Sequence, residues 1–204
     1  IGDCIVAFWN APLDQPDHAR LAISACLRCQ DRMSELRPHL KEKYGEEIAA
    51  RTGLATGTVL IGNMGSSQRF DYSFIGDTGN LASRLEGVNK VFGTWLLVDA
   101  ETFNRQAGHF RGREIALVQV VGRKEPVRIY EPMSDIEYWR KEEAVKVFAG
   151  GLELFHAGKF AEAARAFQSN GETDTPSVVY AKRCLTLMES PPSSWTGVWQ
   201  MTSK

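Results

Sequence analysis

Asn80 and Arg84 stand four residues apart in the stretch FDYSFIGDTGNLASRLEG, residues 70–87, directly behind a glycine break. At that spacing on a helix two side chains share one face. The guanidinium of Arg84 is a planar, permanently charged fork of donors, suited to a phosphate. Asn80 adds an amide that can orient a sugar or a ring oxygen. Leu81, Leu85 and Val88 are expected on the opposite side, in the core. An isolated N-x-x-x-R pair reads more plainly as a surface arginine held by Glu86 or another acid. Asp3 follows Gly2 at an expected tight turn between apolar strands. A carboxylate held there is the ligand type that Mg²⁺ takes beside substrate phosphate oxygens. The plainer reading is a turn aspartate bonded to its own backbone. Cys26 and Cys29 form a CxxC within a helical pattern. No second pair completes a zinc site, so core packing is expected for them.

Regular elements must position these groups, and the hydrophobic pattern outlines them. Asp3 to Trp9 reads as a buried strand, followed by a loop broken by Pro12 and Pro16. Asp17 is expected to cap a helix along Ala22, Cys26, Cys29, Met33 and Leu36, with a solvated end at Lys41 to Glu47. Arg51 to Gly57 and Thr58 to Gly62 read as two strands joined at Gly57, and Asn63 to Gln68 as a polar loop. A helix is expected from Asp77 to Lys90, a strand from Thr94 to Asp99 and a short helix from Ala100 to Gln106. Strands at Glu114 to Val120 and Val127 to Glu131 flank Gly122 to Pro126. This alternation predicts an α/β sandwich with helices against one sheet. After Pro132 the pattern turns helical over Ser134 to His156, Lys159 to Ser169 and Pro176 to Glu189. The run Gly158 to Phe167 has the flavour of one tetratricopeptide repeat, and a lone repeat cannot bury its own face. It is therefore expected as a helical extension docked on the main domain.

Composition narrows the function classes. The 204 residues suffice for one domain and an appendage. Lys and Arg number 24 against 25 Asp and Glu, which argues against a nucleic-acid polymer as partner. No apolar run reaches the length of a membrane span, and no secretory leader is visible. The four cysteines read as reduced thiols of a cytosolic protein. Ile1-Gly2-Asp3 reads as the middle of a hairpin, so a segment upstream is expected.

The stretches IGDCIVAFWNAP, GLATGTVLIGNMGSSQRFDYSFIGDTGNLASRLEG and EPVRIYE closely resemble the class III nucleotidyl cyclases, bacterial adenylate cyclases above all. The likeness covers residues 1 to 132 in order and spacing. It implies an α+β, ferredoxin-like (palm-type) sandwich lacking its first strand and helix, with residues 133–204 as the tetratricopeptide-like extension. It further implies ATP as substrate, with two Mg²⁺ or Mn²⁺ ions per site, and cyclic AMP and pyrophosphate as products in signal transduction. By resemblance Asp3 matches the second metal aspartate, Asn80 the ribose-positioning residue and Arg84 the residue that stabilises charge on the transferring phosphorus. Ser73 matches the purine-reading position, where a hydroxyl can accept from the adenine amino group. Family members form head-to-tail homodimers, which places Asp3 and Arg84 of one chain in two different sites. A cytoplasmic catalytic domain is implied, with membrane contact only through upstream segments.

Departures accompany the likeness. The first metal aspartate and the purine-reading lysine fall before Ile1, so this segment alone is expected to be inactive. Val121 stands where many members carry the first lysine of a Lys-Gly-Lys stretch, and Arg123 or Lys124 is expected to reach the triphosphate instead. Gly79 replaces a usual valine and is expected to loosen the helix start, by up to about 1 kcal/mol. Competing readings are a guanylate cyclase, a non-catalytic nucleotide-binding or dimerising module, and a scaffold centred on residues 134–204. Retention of Asp3, Asn80 and Arg84 together favours the catalyst.

Overall fold

The computed structural model describes residues 4–66 and 69–201. Along this chain run α1 (His18–Tyr44), β1 (Thr52–Leu54), β2 (Leu60–Ser66), β3 (Arg69–Ile75), α2 (Asp77–Phe92), β4 (Leu96–Asp99) and α3 (Ala100–Arg105). They are followed by β5 (Arg111–Gln119), β6 (Val127–Met133), α4 (Asp135–His156), α5 (Phe160–Ser169), α6 (Thr175–Glu189) and β7 (Val198–Gln200). Among the described residues, five strands form a mixed sheet in the order β1-β4-β6-β5-β7, and β2 pairs with β3 in a separate antiparallel hairpin.

Strand β4 shows how the layers assemble. Its apolar run Leu96-Leu97-Val98 is buried throughout, because alternate side chains enter different cores. Leu97 joins α2, Ile115, Val118 and the aromatic residues of α4–α6. Leu96 and Val98 join Ile23 and Cys26 of α1, with Phe103 of α3 packed beside them. The sheet thus lies between two helical layers, the α/β sandwich expected from the alternation of elements. Cys26 is in the core, where burial pushes its thiol up to about 12, whereas Cys29 is exposed.

The helices after Met133 do not stand apart from the sheet. Phe148, Phe155, Phe167 and Tyr180 share one hydrophobic cluster with Phe92, Leu97, Ile115 and Ile129. Tyr180 is fully buried and its hydroxyl donates to the Ile115 carbonyl at 2.8 Å, so α6 is bonded to β5. Arg113 of β5, its side chain only 2% exposed, bonds Glu131 of β6 and Asp174 before α6, each at 2.8 Å. Its guanidinium also lies over the Phe148 ring of α4, 4.9 Å from the centroid.

Several expectations are corrected. Cys4 to Trp9 forms no strand, and Ile5 is 93% exposed. A strand needs a neighbour for its backbone bonds, and no described strand pairs with this segment. Phe8 finds partial cover against Tyr72 and Phe74, at 5.9 and 5.8 Å between ring centroids. Gly57 does not join a hairpin: β1 runs parallel to β4, and β2 leaves to pair with β3. The expected loop at Asn63 to Gln68 is strand from Asn63 to Ser66, because backbone pairing along the exposed hairpin is indifferent to side-chain polarity, and its last two residues lie outside those described. Helix α1 continues through Pro38 to a left-handed cap at Gly45. The Asp17 side chain makes no cap bond and instead ion-pairs with Arg20. The C-terminal tryptophan segment supplies β7, an unforeseen fifth strand parallel to β5. No helix among the described residues is long and apolar enough to cross a membrane.

Candidate active site

Helix α2 carries the site, and its own core contacts fix it. Leu81, Leu85, Val88 and Phe92 are buried along one stripe. At the far end the buried Asn89 amide donates to the carbonyls of Thr52, Leu85 and Glu86 at 2.9 to 3.2 Å and accepts from the Thr94 hydroxyl. These bonds tie α2 to the start of β1 and stop the helix rotating. At about 100° per residue, Arg84 flanks the buried stripe rather than opposing it. That flanking position explains why Arg84 is half-buried while Asn80 is exposed.

The Arg84 head meets the β5–β6 turn. Gly122 stands there with φ +80°, and a Cβ on it would come within 3.1 Å of the Arg84 Nη2. Glycine therefore serves both the left-handed turn and the close approach. The Arg84 Nη1 is buried with no hydrogen-bond partner among the described residues. A donor in that state is rare and costly unless something supplies an acceptor. Next in the turn, the Arg123 Nε lies 3.3 Å from the Asp77 carboxylate in the first turn of α2. The fold thus gathers Asn80, Arg84 and Arg123 at one end of α2.

Ser73 lies on the neighbouring hairpin. Register pairs it with Gly62, on the face that also bears Leu60 and Ile75. The other face carries Phe74, whose ring packs onto Gly79, where a Cβ would be only 2.2 Å from it. Whatever it costs the helix start, Gly79 admits the aromatic ring that docks the hairpin on α2. A cleft of 460 Å³ opens between this hairpin face, Phe8, Trp9, α1 and the Thr78–Ala82 face of α2. Alternation on β3 and helical rotation on α2 turn Ser73, Asn80 and Arg84 away from that cleft. The candidate site is an open surface, not the cleft.

Asp3 lies outside the described residues. Among the described residues, no group of three His, Cys, Asp or Glu side chains could hold a metal ion. Two contributors escape a reading of the sequence. Asp77 reads as an ordinary acid at a helix N-terminus, and nothing local pairs it with Arg123, 46 positions further on. Gln119 bonds the Arg123 and Lys124 carbonyls, a role with no sequence signature.

Known proteins resemble this chain in sequence and fold. The adenylate and guanylate cyclase catalytic domain matches residues 1–127. Adenylate cyclase 1 of Rhizobium meliloti is 33% identical over 130 residues, covering 64% of this chain and 20% of that protein. The terminal-differentiation specific adenylate cyclase of Dictyostelium discoideum is 28% identical over 196 residues, covering 91% of this chain and 9% of that protein. This chain therefore spans a fifth or less of the length of these two relatives. The crystal structure of the adenylyl cyclase CyaB from P. aeruginosa aligns with a TM-score of 0.55 at 28% identity, covering 61% of this chain and 64% of that one. That of the guanylyl cyclase Cya2 aligns with a TM-score of 0.53 at 26% identity, covering 61% and 62%. With its mixed sheet, its Asn80–Arg84 helix and a match over most of its length, the chain belongs to the adenylate and guanylate cyclase catalytic domain family.

Proposed function

We propose that the protein is an adenylate cyclase, converting ATP to 3′,5′-cyclic AMP and pyrophosphate. The observation that carries this reading is the buried, unpartnered Nη1 of Arg84 beside the Gly122 turn. In the reaction the ribose 3′-oxygen bonds the α-phosphorus and loses its proton, while the bond from that phosphorus to the pyrophosphate oxygen breaks. Charge grows on the α-phosphoryl oxygens, and the free guanidinium donor of Arg84 is suited to meet it. Asn80, one turn earlier on the same surface, orients the ribose. Arg123 exchanges its Asp77 partner for triphosphate oxygens. Ser73 accepts from the adenine amino group.

Asp3 would hold a divalent ion, Mg²⁺ or Mn²⁺, as one of the carboxylates of a two-ion site. When bound, the pair of ions would supply Lewis-acid activation of the 3′-hydroxyl and neutralisation of the triphosphate. The head-to-tail homodimer is supported by two exposed apolar side chains at the base of the β2–β3 hairpin. Leu60 and Ile75 pair directly across it and are 71% and 64% exposed, beside Ser73. Exposed apolar surface of this kind marks an association surface.

The test is product formation by the full-length protein with Mn²⁺ and either ATP or GTP, beside an Asp3→Ala control. Cyclic AMP from ATP, lost in the control, is the expected result. Cyclic GMP from GTP, with nothing from ATP, would transfer the reading to a guanylate cyclase. No product from a folded dimer would favour a non-catalytic module that binds nucleotide or dimerises. Val121 in the phosphate turn, where a lysine would serve the triphosphate, is the residue that lends that reading weight.

A further inference from the structure

Resting on the nucleotide-binding reading above, we infer that Gln119 is a positioning residue that sets the β5–β6 turn for the triphosphate, and that β7 braces it. Gln119 is the last residue of β5, and its side chain reaches across the turn that follows. Its Nε2 donates to the Arg123 carbonyl at 3.3 Å and to the Lys124 carbonyl at 3.0 Å. The Arg123 amide closes the same turn by donating to the Val120 carbonyl at 3.1 Å. One amide group thus fixes the backbone on which both candidate phosphate cations sit, and it holds Gly122 against Arg84.

The remaining valence of Gln119 points to the C-terminal segment. Its Oε1 accepts from the Gln200 Nε2 at 3.0 Å, and its own carbonyl accepts from the Met201 amide at 3.1 Å. Register pairs Gln119 with Gln200 across the parallel β5–β7 ladder. With both its polar atoms engaged, the Gln119 amide is held in one orientation. A continuous series of bonds therefore runs from β7 through Gln119 to the turn and the Arg123–Asp77 pair, and the turn's Gly122 lies close against Arg84. Gln119 acts on the nucleotide only through that turn.

Replacing Gln119 by glutamate keeps its size but turns an acceptor toward two carbonyl oxygens, which opens the turn. In the full-length protein, binding of fluorescent ATP and GTP derivatives is measured beside steady-state kinetics. Gln119→Glu is expected to weaken nucleotide binding and raise KM by about tenfold, the scale of one or two lost hydrogen bonds. Turnover at saturation should stay within about threefold, since uniform binding is what the turn supplies. In an Arg123→Ala background the same substitution should add less than about twofold, because contacting residues act non-additively. Gln200→Ala, at an exposed position, should weaken binding by about threefold and covers the case in which the Gln119 variant does not fold. Unchanged binding in both variants overturns the inference, as does a Gln119→Glu effect fully additive with Arg123→Ala. Absence of product from the parent protein overturns the cyclase reading alone, because the binding series still reads the turn. A parent protein that binds neither nucleotide overturns both.

Discussion

Arg84 brings a permanent charge to a half-buried position and leaves one nitrogen without an acceptor. That arrangement costs stability in the free protein and is recovered when an anionic oxygen arrives. On the proposed function, Arg84→Ala in the full-length protein is therefore expected to reduce kcat by about 10²–10³, or 3–4 kcal/mol, with KM little changed. Arg84→Lys should restore little, because an ammonium cannot reproduce the planar fork. Turnover within twofold of the parent would remove Arg84 from the chemistry. At this scale Asn80, Arg84 and Arg123 stand out in the sequence as candidates, because residue type and spacing alone suggest a phosphate-facing group. The Asp77–Arg123 pair is not, because two residues distant in sequence become neighbours only once β5 and β6 bring the turn back to α2.

At the scale of elements, α3 shows how a short helix is held. Asp99 ends β4 and caps α3, accepting from the Thr102 amide at 3.0 Å and the Thr56 amide at 3.3 Å. Burial is the largest influence on its carboxyl and raises its pKa above the ordinary 3.8, against the hydrogen bonds that lower it. A raised folded pKa in an acid means that the folded state takes up the proton more readily than the unfolded chain. The group therefore favours folding at low pH and loses that contribution as pH rises through its folded pKa. Asp99→Asn keeps an accepting oxygen and removes the buried charge. It is expected to raise Tm at pH 7.5, with the gain shrinking as pH falls toward 3.8. A gain that grew on acidification would contradict the account. The helices are legible to within a few residues, since an apolar stripe and its end signals are local. The β2–β3 hairpin is not, because Asn63 and Gly65 lie exposed on a ribbon where pairing leaves no alternating hydrophobic trace.

Across the whole molecule, the Arg113–Glu131–Asp174 network joins the sheet to the C-terminal helices inside the shared core. Arg113→Ala would strand two carboxylates in a buried setting and is expected to cost about 3–5 kcal/mol. For a chain of this size that corresponds to a fall in Tm of at least about 6 °C by calorimetry. A fall of a degree or less would mean that the network is solvated and that the helices are held by the aromatic cluster alone. The same shared core explains why a composition change at Pro132 is visible in sequence although no gap in packing follows it. Phe148, Phe155, Phe167 and Tyr180 cover Phe92 and Ile115 from the far end of the chain.

Local patterns in the sequence carry the candidate residues and the order of the elements. The Asn80–Arg84 spacing, the single-glycine turn before Arg123 and the alternation of strands and helices are encoded over a few residues each, and they carried both family and fold class. Only the tertiary structure decided which strands are neighbours, that β7 closes the sheet edge beside Gln119, and that Arg84 meets Gly122 with a nitrogen to spare. Those outcomes depend on contacts between residues far apart in the chain. Burial and shape select such contacts, and neither leaves a periodic mark in the sequence.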